Sequence, residues 1–364
     1  MSLSVGIIGL PNVGKSTIFN SLCKGKASAE NYPFCTIDPN HGIVAVPDPR
    51  LNRITDLIPT QKVVPAFMEL VDIAGLVKGA SNGEGLGNQF LGHIKDVNAI
   101  IHVVRCFRND DIVHVEGSID PLRDISIIDT ELMLADLGTV ERGITRMEKI
   151  AKSGDKEAVT KLEIYKKAKQ GLEQGISVRK LFNDESETAL LSDLHLLTSK
   201  PVMFIANVDE NGLSEDNDAV KSVRSFASDE GAQCIKICGK LEEELASLDD
   251  SDREAFLLDL GLKEPGLHIM TRCAYALLGL ETFFTAGEKE NKAWTIRKGD
   301  KAPQAAGVIH SDFERGFIKA DVYTLNDLET YKTETALRAN GKIRSEGRDY
   351  TVQDGDIMFF KFNV

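Results

Sequence analysis

Residues 9–16 read Gly-Leu-Pro-Asn-Val-Gly-Lys-Ser, a G-x-x-x-x-G-K-S pattern that follows an apolar run, Val5 to Ile8, and precedes a helical stretch from Thr17. Backbone amides of such a loop, with a helix N-terminus behind them, cradle phosphates, and the lysine neutralises the β and γ charges. The spacing assigns this task to Asn12, Val13, Gly14, Lys15, Ser16 and Thr17, with Lys15 also stabilising the charge that develops in phosphoryl transfer and Ser16 holding magnesium. Downstream, Asp72-Ile-Ala-Gly75 ends a second apolar run, Phe67 to Val71. A D-x-x-G there brings a carboxylate toward magnesium and a glycine N–H toward the γ-phosphate. Thr36 lies in a polar loop between the two motifs and is the expected second magnesium ligand, carried on a switch segment. Gly79, Gly83, Gly85 and Gly87 follow closely, a density that suits either a second nucleotide-ordered switch or a plain flexible loop.

The base would be met later, at Asn207-Val208-Asp209-Glu210. GTPases carry N-K-x-D at this place, and the aspartate accepts two hydrogen bonds from guanine. Here Val208 replaces the lysine that packs along the base, and Glu210 sets the carboxylate one methylene further out. A two-bond contact discriminates only when its geometry is fixed, so guanine selectivity is expected to be weakened and ATP favoured over GTP. Asn207 has an amide suited to a purine N7 and an adenine amino group, while Asp209 and Glu210 also suit plain loop carboxylates.

These loops need a scaffold that gathers them at one edge. Apolar runs at Val5 to Ile8, Phe67 to Val71, Ala99 to Val104, Val202 to Ala206 and Cys234 to Ile237 alternate with helical stretches, as buried parallel strands do. The fold expected is α/β, a doubly wound and mainly parallel sheet whose ligands sit beyond the carboxyl ends of its strands. Between the third and fourth runs, Met133, Leu137, Val140, Ile144, Met147 and Ala151 keep to one helix face, and Ala158, Leu162, Tyr165 and Leu172 resume the pattern after Lys152-Ser-Gly-Asp-Lys156. This predicts an inserted helical hairpin over 129–197 within a nucleotide-binding domain of residues 1–283. Beyond it, residues 284–364 show short β-type runs at Trp294 to Arg297, Phe317 to Tyr323 and Ile357 to Phe362, the texture of a separate small domain.

The chain has 364 residues and a formal net charge of −13, which disfavours nucleic acid and anionic membrane as partners of the whole surface, and no DNA partner is expected. Locally the balance reverses: 141–180 holds 11 Lys or Arg against 6 Asp or Glu, fit for RNA phosphates or for a solvated helix pair laced with ion pairs. The six cysteines are scattered and read as reduced thiols. Neither a leader pattern nor an apolar run of membrane-spanning length is visible, so the cytoplasm is the expected compartment.

Taken together, 9–16, Asn31-Tyr-Pro-Phe-Cys-Thr-Ile-Asp-Pro39, Asp72-Ile-Ala-Gly-Leu-Val-Lys-Gly-Ala-Ser81, Gly83-Glu-Gly-Leu-Gly-Asn88 and 207–210 resemble the YchF subfamily of Obg-like P-loop ATPases. The resemblance runs along essentially the whole chain and implies a C-terminal TGS domain of β-grasp form, to whose core 306–317 is similar. It implies ATP preference, magnesium dependence, slow intrinsic hydrolysis, and association with ribosomes and stress regulation. Leu76 stands where Ras-like enzymes place the water-orienting glutamine. The resemblance points instead to His114, in a loop beyond the third strand, as the group that aligns the water. His102, within that strand, reads as a core residue. Asn12 matches the asparagine with which potassium-activated relatives hold K+, and equally suits a turn. An ATPase switch on the translation machinery, an ordinary GTPase and a nucleotide-dependent scaffold are the three readings in play.

Overall fold

The computed structural model describes residues 3–23, 40–73, 86–109 and 111–363. Strands β1 (Ser4–Ile8), β2 (His41–Val46), β3 (Val63–Val64), β4 (Ala66–Asp72), β5 (Ala99–Arg105), β6 (Val202–Asn207) and β7 (Cys234–Ile237) come first along the chain. All but β3 join one sheet in the order β2-β4-β1-β5-β6-β7. β1 pairs in parallel with β4 and β5, β5 with β6, and β6 with β7. β1, β5 and β6 are buried along their whole length, which is why they read as unbroken apolar runs rather than alternating ones. His102 is a core residue of β5, its ring tilted against Phe204, and burial pushes its imidazole down to about 3. The parallel order carries the ends of β1, β4, β5, β6 and β7 to one edge, and the candidate loops start there.

Helices α1 (Lys15–Cys23), α2 (Pro49–Leu57), α3 (Leu86–Asp96), α4 (Pro121–Ala151) and α5 (Lys156–Glu173) follow in chain order. α4 and α5 form the inserted hairpin. Their facing surfaces bury Val140, Met147, Ala158, Tyr165 and Leu172, with Met133, Leu137, Ile144, Ala151 and Leu162 packed around them, as the periodicity requires. Asp155 starts α5 by accepting hydrogen bonds from the amides of Glu157 and Ala158. α4 starts earlier than residue 129: Asp120 caps it, Pro121 opens it, and its first turns bury Ile125 and Ile128 and pack toward β5. The apolar face of α4 thus serves first the parent sheet and then its partner helix.

The basic character of 141–180 is largely absorbed within the hairpin. Lys161 pairs with Glu157, Lys166 with Glu148, Lys167 with Glu187, Lys169 with Glu141, and Arg146 with Asp193. Lys149, Lys152 and Lys156, around the turn between the helices, have no ion pair among the described residues.

A second sheet runs β11-β10-β12-β8-β9-β3, with β8 (Leu280–Thr285), β9 (Asn291–Arg297), β10 (Phe317–Tyr323), β11 (Arg344–Glu346) and β12 (Ile357–Phe362). Its core gathers Phe283, Ile296, Ala302, Ala305, Phe317, Val322 and Met358. By its contacts the chain divides into two units, and the boundary differs from 283/284: Ile43–Met68 belongs with Met270–Val364. The cause is a long-range polar anchor. Arg50 of α2 holds Asp48 and Asp354, its guanidinium lies 5.3 Å from the Phe284 ring centroid, and the Asp354 carboxylate also accepts from the Thr282 amide. Asn291 donates to Thr55 Oγ1 and to the Ile58 carbonyl, and β3 pairs in parallel with β9. A contact spanning some three hundred residues leaves no local periodicity, so the sequence pattern does not reveal it.

The base of the hairpin is tied by Asp136, a buried carboxylate on α4 that accepts from Leu197 N at 2.7 Å, Thr198 N at 2.8 Å and Thr198 Oγ1 at 2.6 Å. Asp136→Ala strands three buried donors and is expected to cost about 2–3 kcal/mol. Urea unfolding followed by far-UV circular dichroism checks it; an unchanged midpoint would remove Asp136 from this role.

Candidate functional site

The turn from β1 into α1 is shaped by close approaches. A Cβ on Gly9 would come within 2.5 Å of the Val103 carbonyl of β5. Gly14 takes φ +99°, where side chains are strained, and its Cβ would fall 2.2 Å from Asn207 Nδ2. Asn12 sits in the left-handed region at φ 62° and donates its side-chain amide to the Val113 carbonyl at 3.2 Å. These constraints wrap the loop into a cradle at the N-terminus of α1, in line with the phosphate-binding pattern.

Lys15 is buried, and its ammonium donates to the Leu10 carbonyl at 2.7 Å. Burial pushes it down to about 8, opposed by the charge of Asp72. Ser16 Oγ lies 3.2 Å from Asp72 Oδ2, while Asp72 Oδ1 is buried without a hydrogen-bond partner among the described residues. A hydroxyl beside a carboxylate with an orphaned oxygen is the donor set a hard divalent cation takes up, so Ser16 and Asp72 fit magnesium, Asp72 either directly or through water. Thr36 and Gly75, the other expected contributors, lie outside the described residues, as do Gly79, Gly83 and Gly85.

Beyond the cradle the cleft opens to about 830 Å³, with Asn12, Gly14, Lys15, Ser16 and Thr17 at the phosphate end. Asn207, Val208, Asp209, Glu210, Gly239 and Lys240 line the other end, and Phe107, Arg108, Asn109 and Ile112 form a third wall. Asn207 has a structural task alongside the one expected at the base, and one of its two Nδ2 hydrogens is used in it. Its Nδ2 donates to the Val13 carbonyl at 2.8 Å and its Oδ1 accepts from the Gly239 amide at 3.0 Å, bracing the phosphate loop against the turn after β7. Val208 is buried, and its amide bonds the Ile237 carbonyl. Asp209 accepts from the Gly212 amide at 2.8 Å, a turn-forming role. Glu210 faces the cleft and meets Lys240 at 3.3 Å.

His114 is not among the residues that line this cleft. Its Nε2 lies 2.8 Å from Asp124 Oδ2 on the first turn of α4, its Nδ1 accepts from the Glu116 amide, and the ring is buried. The imidazole is therefore turned toward the inserted hairpin, although its neighbour Val113 touches Asn12. The third wall has its own organiser, which the motif pattern does not reveal. Arg105, buried at the end of β5, donates to the carbonyls of Phe107, Asn109 and Ile112 and lies over the Phe107 ring. Lys240 and Phe107 could have been found in the sequence from the rule that ligands sit past the carboxyl ends of parallel strands, since each lies two or three residues beyond one.

Lys15→Ala and Ser16→Ala each remove a contact that no neighbour replaces, and both are expected to abolish productive binding of magnesium nucleotide. Calorimetric titration tests this, and unchanged affinity in both variants would overturn the phosphate assignment.

Two family models match the chain: a 50S ribosome-binding GTPase model over residues 4–136, and YchF-GTPase_C, described as a protein of unknown function, over 280–363. The Ribosome-binding ATPase YchF of Bacillus subtilis is 50% identical over all of both chains, and the protein of that name from Escherichia coli O157:H7 is 52% identical, again over all of both. Among solved structures, the Schizosaccharomyces pombe YchF GTPase superposes with a TM-score of 0.89 at 39% identity, covering 99% of this chain and 98% of that one. A GTP binding protein of Pyrococcus horikoshii, at 18% identity and a TM-score of 0.62 over 99% of this chain and all of that one, shares the fold. Because the likeness runs end to end through phosphate loop, hairpin and second sheet alike, the chain belongs to the YchF family.

Proposed function

We propose that this protein is a magnesium-dependent ATPase switch whose nucleotide state governs contact with the ribosome. The observation that carries the base preference is the state of the 207–210 segment. Asp209 accepts from a turn amide and Glu210 faces the Lys240 ammonium, so neither carboxylate of the segment stands as a lone acceptor for the two donors of guanine. ATP then binds at least as tightly as GTP. The names of the Bacillus and Escherichia relatives support the same reading, whereas the fission-yeast relative is named a GTPase.

In this reading Ser16 and Thr36 hold magnesium with Asp72 beside them, Lys15 and the Gly75 amide meet the γ-phosphate, and K+ beside Asn12 acts as an activator. His114 orients the attacking water once it leaves Asp124, and its burial in the Asp124 contact accounts for slow intrinsic turnover. Ribosomal RNA phosphates are met at the turn of the hairpin, where Lys149, Lys152 and Lys156 stand outside the ion pairs that hold most other basic residues of the arm. The protein works in the cytoplasm; among the described residues no helix is long and apolar enough to cross a membrane.

Titration with both nucleotides, alongside co-sedimentation with ribosomes in the ATP-analogue and ADP states, tests the main reading. A preference for GTP of about tenfold, or about 1.4 kcal/mol, would return the protein to ordinary GTPases. Ribosome association that ignores the nucleotide would end the switch reading. For the water-orienting role, His114→Ala is expected to lower turnover by about a hundredfold while ATP affinity holds within about twofold. Unchanged turnover would assign His114 to the fold alone.

A further inference from the structure

Among the described residues, Lys240 is the one ammonium besides Lys15 that lines the nucleotide cleft, and it stands at the opposite end from the phosphate loop. Its backbone is placed by the same residue that braces that loop, because Asn207 Oδ1 holds the amide of the adjoining Gly239 at 3.0 Å. From there Nζ reaches Glu210 Oε1 at 3.3 Å, with Glu244 Oε1 at 3.9 Å on its other side. Glu210 precedes the short helix Asn211–Ser214 and caps nothing in it, so its carboxylate is held by no competing bond within that helix. The hydrogen bond to Glu210 raises the Lys240 ammonium above its ordinary value, so it is charged wherever the carboxylate is.

We infer that Lys240 is a specificity-determining residue, one that turns the Glu210 carboxylate from a guanine acceptor into half of an acceptor and donor pair matched to adenine. A lone carboxylate suits guanine, which presents N1–H and the 2-amino group as two donors on one edge. Adenine presents the 6-amino donor next to the N1 acceptor. Glu210 accepts from the first, and Lys240 donates to the second. Guanine would set its own N1–H against the ammonium and find the carboxylate already engaged. This deepens the ATP reading and rests on it.

The experiment is a double-mutant cycle on the full chain, with calorimetric Kd values for ATP and GTP in wild type, Lys240→Met, Glu210→Gln and the double variant. Lys240→Met is expected to shift the ratio of GTP to ATP affinity toward GTP by about three- to fivefold, the scale of an exposed ion pair, and the shift should shrink as ionic strength rises. In the Glu210→Gln background the same substitution should give a clearly smaller shift, since no carboxylate is left to release and only the direct contact of Lys240 with the base is lost. An unchanged ratio in Lys240→Met overturns the inference. So does the same shift with Gln at 210, or a shift toward ATP, which would mean that Lys240 donates to the guanine O6. The wild-type ratio alone judges the ATP reading, and the change caused by Lys240→Met alone judges this inference, so the two fail separately.

Discussion

Asn207 sits where three loops of the first unit converge, and most of the cleft can be traced to its two hydrogen bonds. The donor side fixes the Val13 carbonyl and the acceptor side fixes the Gly239 amide, so the loop after β1 and the turn after β7 share one buried amide. An amide is the side chain able to do this, since it offers a donor and an acceptor a fixed distance apart without a charge to desolvate. Gly14 must lack a Cβ because that amide occupies the space, and Lys240 reaches the cleft because the residue before it is pinned. The asparagine that a motif reading sends to the base is also the brace that sets the groups around the cleft.

The chemistry of the phosphate end follows from burial. Lys15 gives up solvent, which lowers its proton affinity against the opposing charge of Asp72, a cost that a bound phosphate would offset. Asp72 leaves one buried carboxylate oxygen without a partner among the described residues, a cost that a cation would relieve. In the proposed function both groups are held in states that a magnesium nucleotide would improve, which is how a site stores affinity before its ligand binds.

The inserted hairpin touches this machinery through its first turn. Asp124 of α4 holds His114, and the residue before His114 accepts a hydrogen bond from Asn12 of the phosphate loop. Local order in the loop after β5 is therefore shared between the cradle and the hairpin. Arg105 adds a third tie, spreading its guanidinium nitrogens over three backbone carbonyls of the same loop.

Much of this protein is legible in its sequence because much of it is local. Phosphate loops, D-x-x-G, buried parallel strands and a two-helix insertion are written in spacings of a few residues, and the strands and hairpin face appear where those spacings put them. What tertiary structure alone decided is long-range. The grouping of 43–68 with the C-terminal sheet depends on Arg50 meeting Asp354, the bracing task of Asn207 depends on a carbonyl 194 positions away, and Glu210 meets Lys240 across 30. A side chain's residue type says what it can bond. Which partner takes the bond is settled by the packing that brings the two within reach, and for Asn207, Glu210 and His114 that packing chose the protein's own groups.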